Sequence, residues 1–195
     1  MSVRKTQNNK NTYYFITLTC FEWIHLFEIT NLYDHIYAWF DQLKLQKILI
    51  NGFVIMPNHL HLITYVSEIL SSINKVIGNA KRFMAYEIVK RLNEIGRFDI
   101  LRMLNEGVNP NERKKGKLHN VFEPSFDAKE ILTEKFVVQK LNYIHQNPVR
   151  GKWHLVDDYR LYKHSSAGFY EFGSKDGYKV IHYERAIEYF LQSPC

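Results

Sequence analysis

The stretch that most limits what this chain can fold into is FVIMPNHLHLITYV, Phe53 to Val66. Two apolar runs rich in β-branched and aromatic residues flank Pro57-Asn58. A central strand does not accommodate that pair, because proline has no backbone N–H to give to a ladder. The stretch therefore reads as a hairpin, with strands at Phe53 to Met56 and His59 to Val66. Residues i and i+2 of a strand share a face. Leu60 and Leu62 then point into a core, and His59 and His61 stand side by side on the other face. Two adjacent imidazoles can bind a divalent cation with an incomplete shell, and substrate must fill the vacancies of a catalytic ion. Alone, the pair more often marks two polar residues on an open sheet face.

The rest of the chain supplies elements to pack on the hairpin. Tyr13 to Phe21, YYFITLTCF, reads as another strand. Asn31 is placed to cap a helix from Leu32 to Ile50, with Leu32, Ile36, Trp39, Phe40, Leu43 and Ile50 at helical spacing. Ser71 or Ser72 can cap a helix over 73–92 that Gly96 ends. This helix carries Lys75, Lys81, Arg82, Lys90 and Arg91. Residues 97–117 read as a loop with a basic cluster at Arg113, Lys114, Lys115 and Lys117. Asn120 to Phe126 is a short strand candidate, weakened by Pro124. Asp127 is placed to cap a long helix that reaches Asn147 and stops at Pro148. The order β-α-β-β-α-(loop)-β-α around a tight hairpin predicts an α+β fold, a ferredoxin-like antiparallel sheet with helices packed on it.

A chain of 195 residues fits one domain. Residues 1–12 form a basic arm, 13–148 the core with a helix at 127–147, and 149–195 a C-terminal extension. No run of apolar residues is long enough for a membrane span, and MSVRKTQNNKNTYY lacks the apolar core of a secretion signal. Cys20 and Cys195 belong to no CxxC pair, which excludes a zinc ribbon or disulfide framework and predicts a reducing cytoplasm. The net charge of +6 fits a polyanionic partner without requiring one.

A second motif lies in LNYIHQNPV, Leu141 to Val149. At i and i+4 on a helix, Tyr143 and Asn147 project together. Asn147 offers an amide oxygen as a third ligand, and Tyr143 a phenol beside the ion. A phenol is a poor nucleophile at its ordinary pKa of ~10, and a neighbouring cation favours its anion. His145 and Gln146 are rotated to other sides of the helix. Without the histidines, a buried tyrosine and a helix-end asparagine before proline are common structural uses.

Together, VIMPNHLHLI, a basic helix and YIHQNPV resemble the HUH single-tyrosine transposases, in particular the REP-associated tyrosine transposase branch. The segments FITLTC, VFEPSF and DDYRLYKHSSAGFY match as well, so the resemblance spans about Tyr13 to Tyr170. It implies a DNA transposase of the HUH endonuclease type that cleaves and rejoins single-stranded DNA. Tyr143 would attack a phosphodiester and form a 5′-phosphotyrosine link. His59, His61 and Asn147 would hold Mg²⁺ or Mn²⁺. It also implies a bacterial, nucleoid-associated protein acting on imperfect palindromes or hairpins, as a monomer or as a helix-swapped homodimer. Lys81, Arg82, Lys90, Arg91, Arg113, Lys114, Lys115 and Lys117 are candidate phosphate contacts, or else a solvated helix face and a charged loop. His119, His164 and Arg160 are further polar candidates.

One departure stands out. Many relatives carry a histidine shortly after the VFEPSF-like segment, where this chain has Asp127, Ala128 and Lys129. The competing expectation is a non-catalytic protein, a repressor or recruitment factor that binds single strands by stacking on exposed aromatics. A zinc hydrolase fits less well, since two histidines and an asparagine are a poor zinc set.

Overall fold

The computed structural model describes residues 11–67, 72–124 and 127–192. The basic arm through residue 10, Ser71, and Ser125-Phe126 of the expected short strand lie outside them.

Strand β1, Thr12–Thr19, alternates as its sequence requires. Tyr14, Ile16 and Leu18 enter the main core, and Tyr13 and Phe15 pack on the opposite face. Strands β2 (Ile48–Ile55) and β3 (His59–Val66) form the hairpin. With β4, Asp127–Ile131, they make a four-stranded antiparallel sheet in the order β2-β3-β1-β4. This is the ferredoxin-like order, within an α+β architecture.

Several boundaries differ from expectation. The first long helix, α2, spans Tyr33–Leu45 after a single turn, α1, at Leu26–Ile29. Asn31 does not cap it: Asn31 is left-handed, and the capping position belongs to Leu32, with no side-chain hydrogen bond. Lys47, also left-handed, turns the chain out of the helix, so Ile48, Leu49 and Ile50 are strand. Their helical spacing relative to Leu43 is coincidental, and three consecutive β-formers buried on both faces are the better signal. Gly52 lies inside β2, after a bulge between Ile50 and Gly52. The extra residue keeps Ile50 and Phe53 on one core face despite their odd spacing. Gly52 also admits the close approach of a helix, for a methyl there would stand 2.5 Å from Leu141 Cδ2.

Helix α3, Ile73–Glu94, is capped by Ser72, whose hydroxyl accepts from the Lys75 N–H. At its end the Gly96 N–H reaches Asn93 O and the Arg97 N–H reaches Leu92 O, with Gly96 left-handed, a Schellman closure. The expected loop after it contains α4 (Phe98–Glu106), which buries Ile100, Leu101 and Leu104, and the turn α5 (Pro110–Arg113). Asn120 to Phe122 contributes only an isolated bridge, Phe122 to Cys20. The fourth strand is instead Asp127–Ile131, read above as the start of a helix. It is an edge strand, and charged side chains are what such an edge tolerates.

Helix α6 therefore starts later, at Glu134–His145, capped by Thr133, whose hydroxyl accepts from the Phe136 N–H. It packs Val137, Leu141 and Ile144 on the sheet face opposite α2 and α3. The extension lines the free edge of β2. Ile55 N–H bonds His164 O, Ser166 N–H bonds Phe53 O and Ile181 N–H bonds Ile50 O. Helices α7 (Ala167–Phe172) and α8 (Ala186–Gln192) belong to this extension. Among the described residues no helix is long and apolar enough to cross a membrane.

Candidate metal centre and tyrosine site

The alternation of β3 sends Leu60 and Leu62 into the main core and His59 and His61 to the face covered by α6. Their ring centroids are 4.9 Å apart, and both side chains are nearly buried. The end of α6 brings Tyr143 to the same place within one chain. Its ring lies edge-on to His61 at 5.3 Å and to Phe15 at 6.2 Å. Asn147 stands just past the helix, in a 3-10 turn with Pro148. Its amide still faces the site, with Nδ2 donating to Tyr143 O at 3.2 Å and Oδ1 lying 3.4 Å from His59 Nε2.

The hydrogen-bond pattern fixes which atoms are free to bind a cation. Asn58, fully buried in the hairpin turn, donates from Nδ2 to Trp23 O at 2.7 Å. That orients its Oδ1 toward His59 Nδ1 at 2.8 Å, and an amide oxygen can only accept. His59 thus carries its proton on Nδ1, and Nε2 is a bare lone pair. The same logic turns Asn147 Oδ1 toward it, since Nδ2 is committed to the Tyr143 carbonyl. Two acceptors facing each other at 3.4 Å need a proton or a cation between them. A proton is disfavoured: burial pushes His59 down to about 4. Burial, then the neighbouring His59 and Lys140, push His61 down to about 3. Thr17 Oγ1 holds His61 Nδ1 at 2.9 Å. Neutral imidazoles fixed through Nδ1 and an amide oxygen are a chemically coherent donor set for a divalent ion. Among the described residues no cluster of three or more His, Cys, Asp or Glu competes for one.

Asn58, Thr17 and two lysines were not singled out from sequence. Lys140 Nζ lies 4.6 Å from the Phe15 ring centroid and 5.4 Å from that of Tyr143, one helical turn away. Lys152 is close enough to disfavour a charged His59. An i, i+3 lysine before the tyrosine was the available signal for Lys140. Two tryptophans also border the site. Trp23 meets His59 edge-on at 5.6 Å and Trp153 lies 6.2 Å from the same ring. Trp23 and its neighbour Glu22 are both left-handed, with φ of 58° and 48°. Each such non-glycine residue costs of order 1–3 kcal/mol.

The expected phosphate contacts separate into groups. Lys81, Arg82 and Lys90 of α3 face Lys115 and Lys117 across a groove of about 730 Å³, which Tyr86 and His119 also line. The groove lies on the α3 side of the sheet, away from the histidine face. Lys81 donates to Glu123 O at 2.6 Å, and Lys117 to Glu112 and Asn120. Arg91 is not part of this groove. Its guanidinium forks Asp34, pairs with Glu87 and caps the carbonyls of Thr30 and Asn31, clamping α3 to α2. Arg113 is held by Asn105, and Lys114 is exposed outside the groove. His145 turns away, as its helical phase requires, to Ser166 Oγ at 2.9 Å. His164 stacks on Tyr33 and bonds Tyr37, and Arg160 pairs with Asp158.

No protein-family model matches the chain. An uncharacterized protein of Haemophilus influenzae is 25% identical over 147 residues, covering 70% of this chain and 80% of that one. The solved structure of a REP-associated tyrosine transposase bound to a REP hairpin superposes with a TM-score of 0.56 at 18% identity, covering 93% of this chain and 99% of that chain. The chain is thus similar in fold to that transposase over nearly its whole length.

Proposed function

We propose that this protein is a metal-dependent single-tyrosine DNA transposase or strand-transfer nuclease. The observation that carries the reading is the meeting, within one chain, of the His59–His61 strand face with Tyr143 and Asn147 at the end of α6. Likeness of fold to a transposase bound to a DNA hairpin supports a DNA substrate.

His59, His61 and Asn147 would hold Mg²⁺ or Mn²⁺. Nitrogen ligands favour Mn²⁺, and an amide oxygen suits either. When bound, the ion supplies charge neutralisation and orientation at the scissile phosphate. Asn58 and Thr17 keep the histidine donors in place. Tyr143 Oη attacks phosphorus, and the bond from phosphorus to the 3′ oxygen breaks. The phenolic proton is released, and the departing 3′ oxygen takes one up. The products are a 5′-phosphotyrosine on one strand segment and a 3′-hydroxyl on the other, and a second 3′-hydroxyl reverses the step. Lys140, with Nζ 5.4 Å from the Tyr143 ring centroid, would stabilise negative charge developing at the site.

Incubation with single-stranded hairpin oligonucleotides and Mn²⁺, followed by a denaturing gel, tests the reading. A covalent adduct is expected for the wild type and absent from Tyr143→Phe. An adduct that persists in Tyr143→Phe overturns the role of this tyrosine. The competing reading, a binding protein without catalysis, draws on the basic groove beside α3. It predicts metal-independent, salt-sensitive binding with the strand left uncut.

A further inference from the structure

We propose that Trp23 is a stacking platform for one unpaired nucleobase next to the phosphate held at the His59, His61, Asn147 and Tyr143 site. The inference rests on the strand-cleaving reading above for the identity of that phosphate.

The turn that presents Trp23 is built against local preference. Phe21 to Ile24 closes with the Ile24 N–H on Phe21 O at 3.1 Å, and both central residues are left-handed. That is the φ pattern of a type I′ turn, which ordinarily takes Asn-Gly, yet here it is made by Glu22-Trp23. Separate bonds hold it. Asn58 Nδ2 donates to Trp23 O, and the Glu22 N–H donates to Glu123 Oε1 at 2.8 Å. The polar anchoring is all on backbone atoms. Trp23 is 54% exposed, and its indole meets His59 edge-on. A large aromatic side chain held outward beside the candidate metal ligand His59 is not explained by packing.

Position points to the ligand. Asn58 binds the Trp23 carbonyl and His59 Nδ1 through the two ends of one amide, so the Trp23 backbone and the His59 ring are tied to each other. Glu123, which anchors the turn, also lines the basic groove beside α3 and bonds Thr19 O at the end of β1. The Trp23 turn therefore connects the lysine-lined groove, through Glu123, to the His59 face. The half-buried Trp153, with Lys152 over its ring at 5.5 Å, adds a second aromatic and a cation to the rim. Aromatic faces beside cations suit unpaired bases, since every base has a π-face.

The test uses full-length protein with Trp39 and Trp153 replaced by Phe, so that Trp23 is the remaining indole. It is titrated in EDTA with a short oligothymidylate and with an abasic strand of equal length. The thymidylate strand should quench the emission and the abasic strand should not. In the otherwise wild-type protein, Trp23→Ala should weaken thymidylate binding by roughly 5- to 100-fold, the loss of one base–aromatic stack. Trp23→Phe should recover part of it, and abasic binding should not change. Equal quenching by both strands overturns the proposal, as does an unchanged thymidylate affinity in Trp23→Ala. Circular dichroism of Trp23→Ala separates these outcomes from misfolding; if it is unfolded, the quenching comparison decides alone. Covalent adduct formation, assayed separately with Mn²⁺, reports on the cleavage reading. Base-dependent quenching without an adduct refutes cleavage and leaves the platform standing, and an adduct without base-dependent quenching does the reverse.

Discussion

His59 Nε2 and Asn147 Oδ1 face each other at 3.4 Å. Each has been turned into an acceptor by a hydrogen bond on its far side, from His59 Nδ1 to Asn58 and from the Asn147 amide nitrogen to the Tyr143 carbonyl. The gap between the two acceptors, where the proposed cation would sit, is thus set by hydrogen bonds to Asn58 and the Tyr143 carbonyl.

Asn58→Ala should therefore weaken Mn²⁺ binding without removing a ligand. Loss of such a partner typically lowers metal affinity by about 10- to 100-fold. The Trp23 carbonyl also loses its donor, for roughly 0.5–1.5 kcal/mol of stability. Isothermal titration with Mn²⁺ and chemical unfolding measure the two effects. Wild-type affinity in Asn58→Ala would show that His59 orients itself.

Acid should destabilise the fold before any carboxylate titrates. Burial pushes His145 down to about 4, while the unfolded chain protonates near ~6.5. The unfolded state thus binds more protons in this window, so the contribution is complete above pH ~6.5 and falls away toward pH 4. It amounts to about 3 kcal/mol for a buried histidine. His145→Gln, which can still bond Ser166, should flatten the fall in Tm between pH 7 and pH 5. An equally steep fall would assign the acid sensitivity elsewhere.

Arg91 and the groove lysines should separate cleanly. Arg91→Ala removes the fork to Asp34 and the donors to two carbonyls. It should lower stability by about 1–3 kcal/mol and leave the salt dependence of DNA binding alone. Arg82→Ala with Lys90→Ala should do the opposite, reducing the slope of log affinity against log salt by roughly 0.7 per lost contact to a single strand. Filter binding over a salt series distinguishes the two.

Glu22→Gly should stabilise the protein. The Glu22 side chain is exposed and its φ is 48°, so glycine removes the left-handed penalty, a gain of about 0.5–1 kcal/mol after the entropy of the unfolded chain is counted. A denaturant midpoint lower than wild type would contradict the strained-turn account.

The hairpin was legible because period-two alternation and a Pro-Asn break leave little choice of register, and the two histidine positions followed from it. The tyrosine helix was legible at its end and not at its start. Asp127–Ile131 carries charges at a spacing that suits a helix, and pairing with β1 overrides that local preference. Residues 97–117 hid two helices because α4 is short and buries only three side chains. Asn58, Thr17 and Trp23 left no one-dimensional signature, and Lys140 only its i, i+3 spacing before Tyr143. Their roles come from contacts across the fold, and a buried asparagine in a turn looks like any other turn residue until its partners are seen.

The most direct measurement is mass mapping of the covalent adduct. The chain has 13 tyrosines, so a gel shift alone does not name the nucleophile. After reaction with a hairpin oligonucleotide and Mn²⁺, nuclease trimming and proteolysis, the nucleotide mass should sit on the peptide containing Tyr143, and should vanish in His59→Ala and Asn147→Ala. A nucleotide on a different tyrosine, or no adduct while the DNA is bound, would contradict the account.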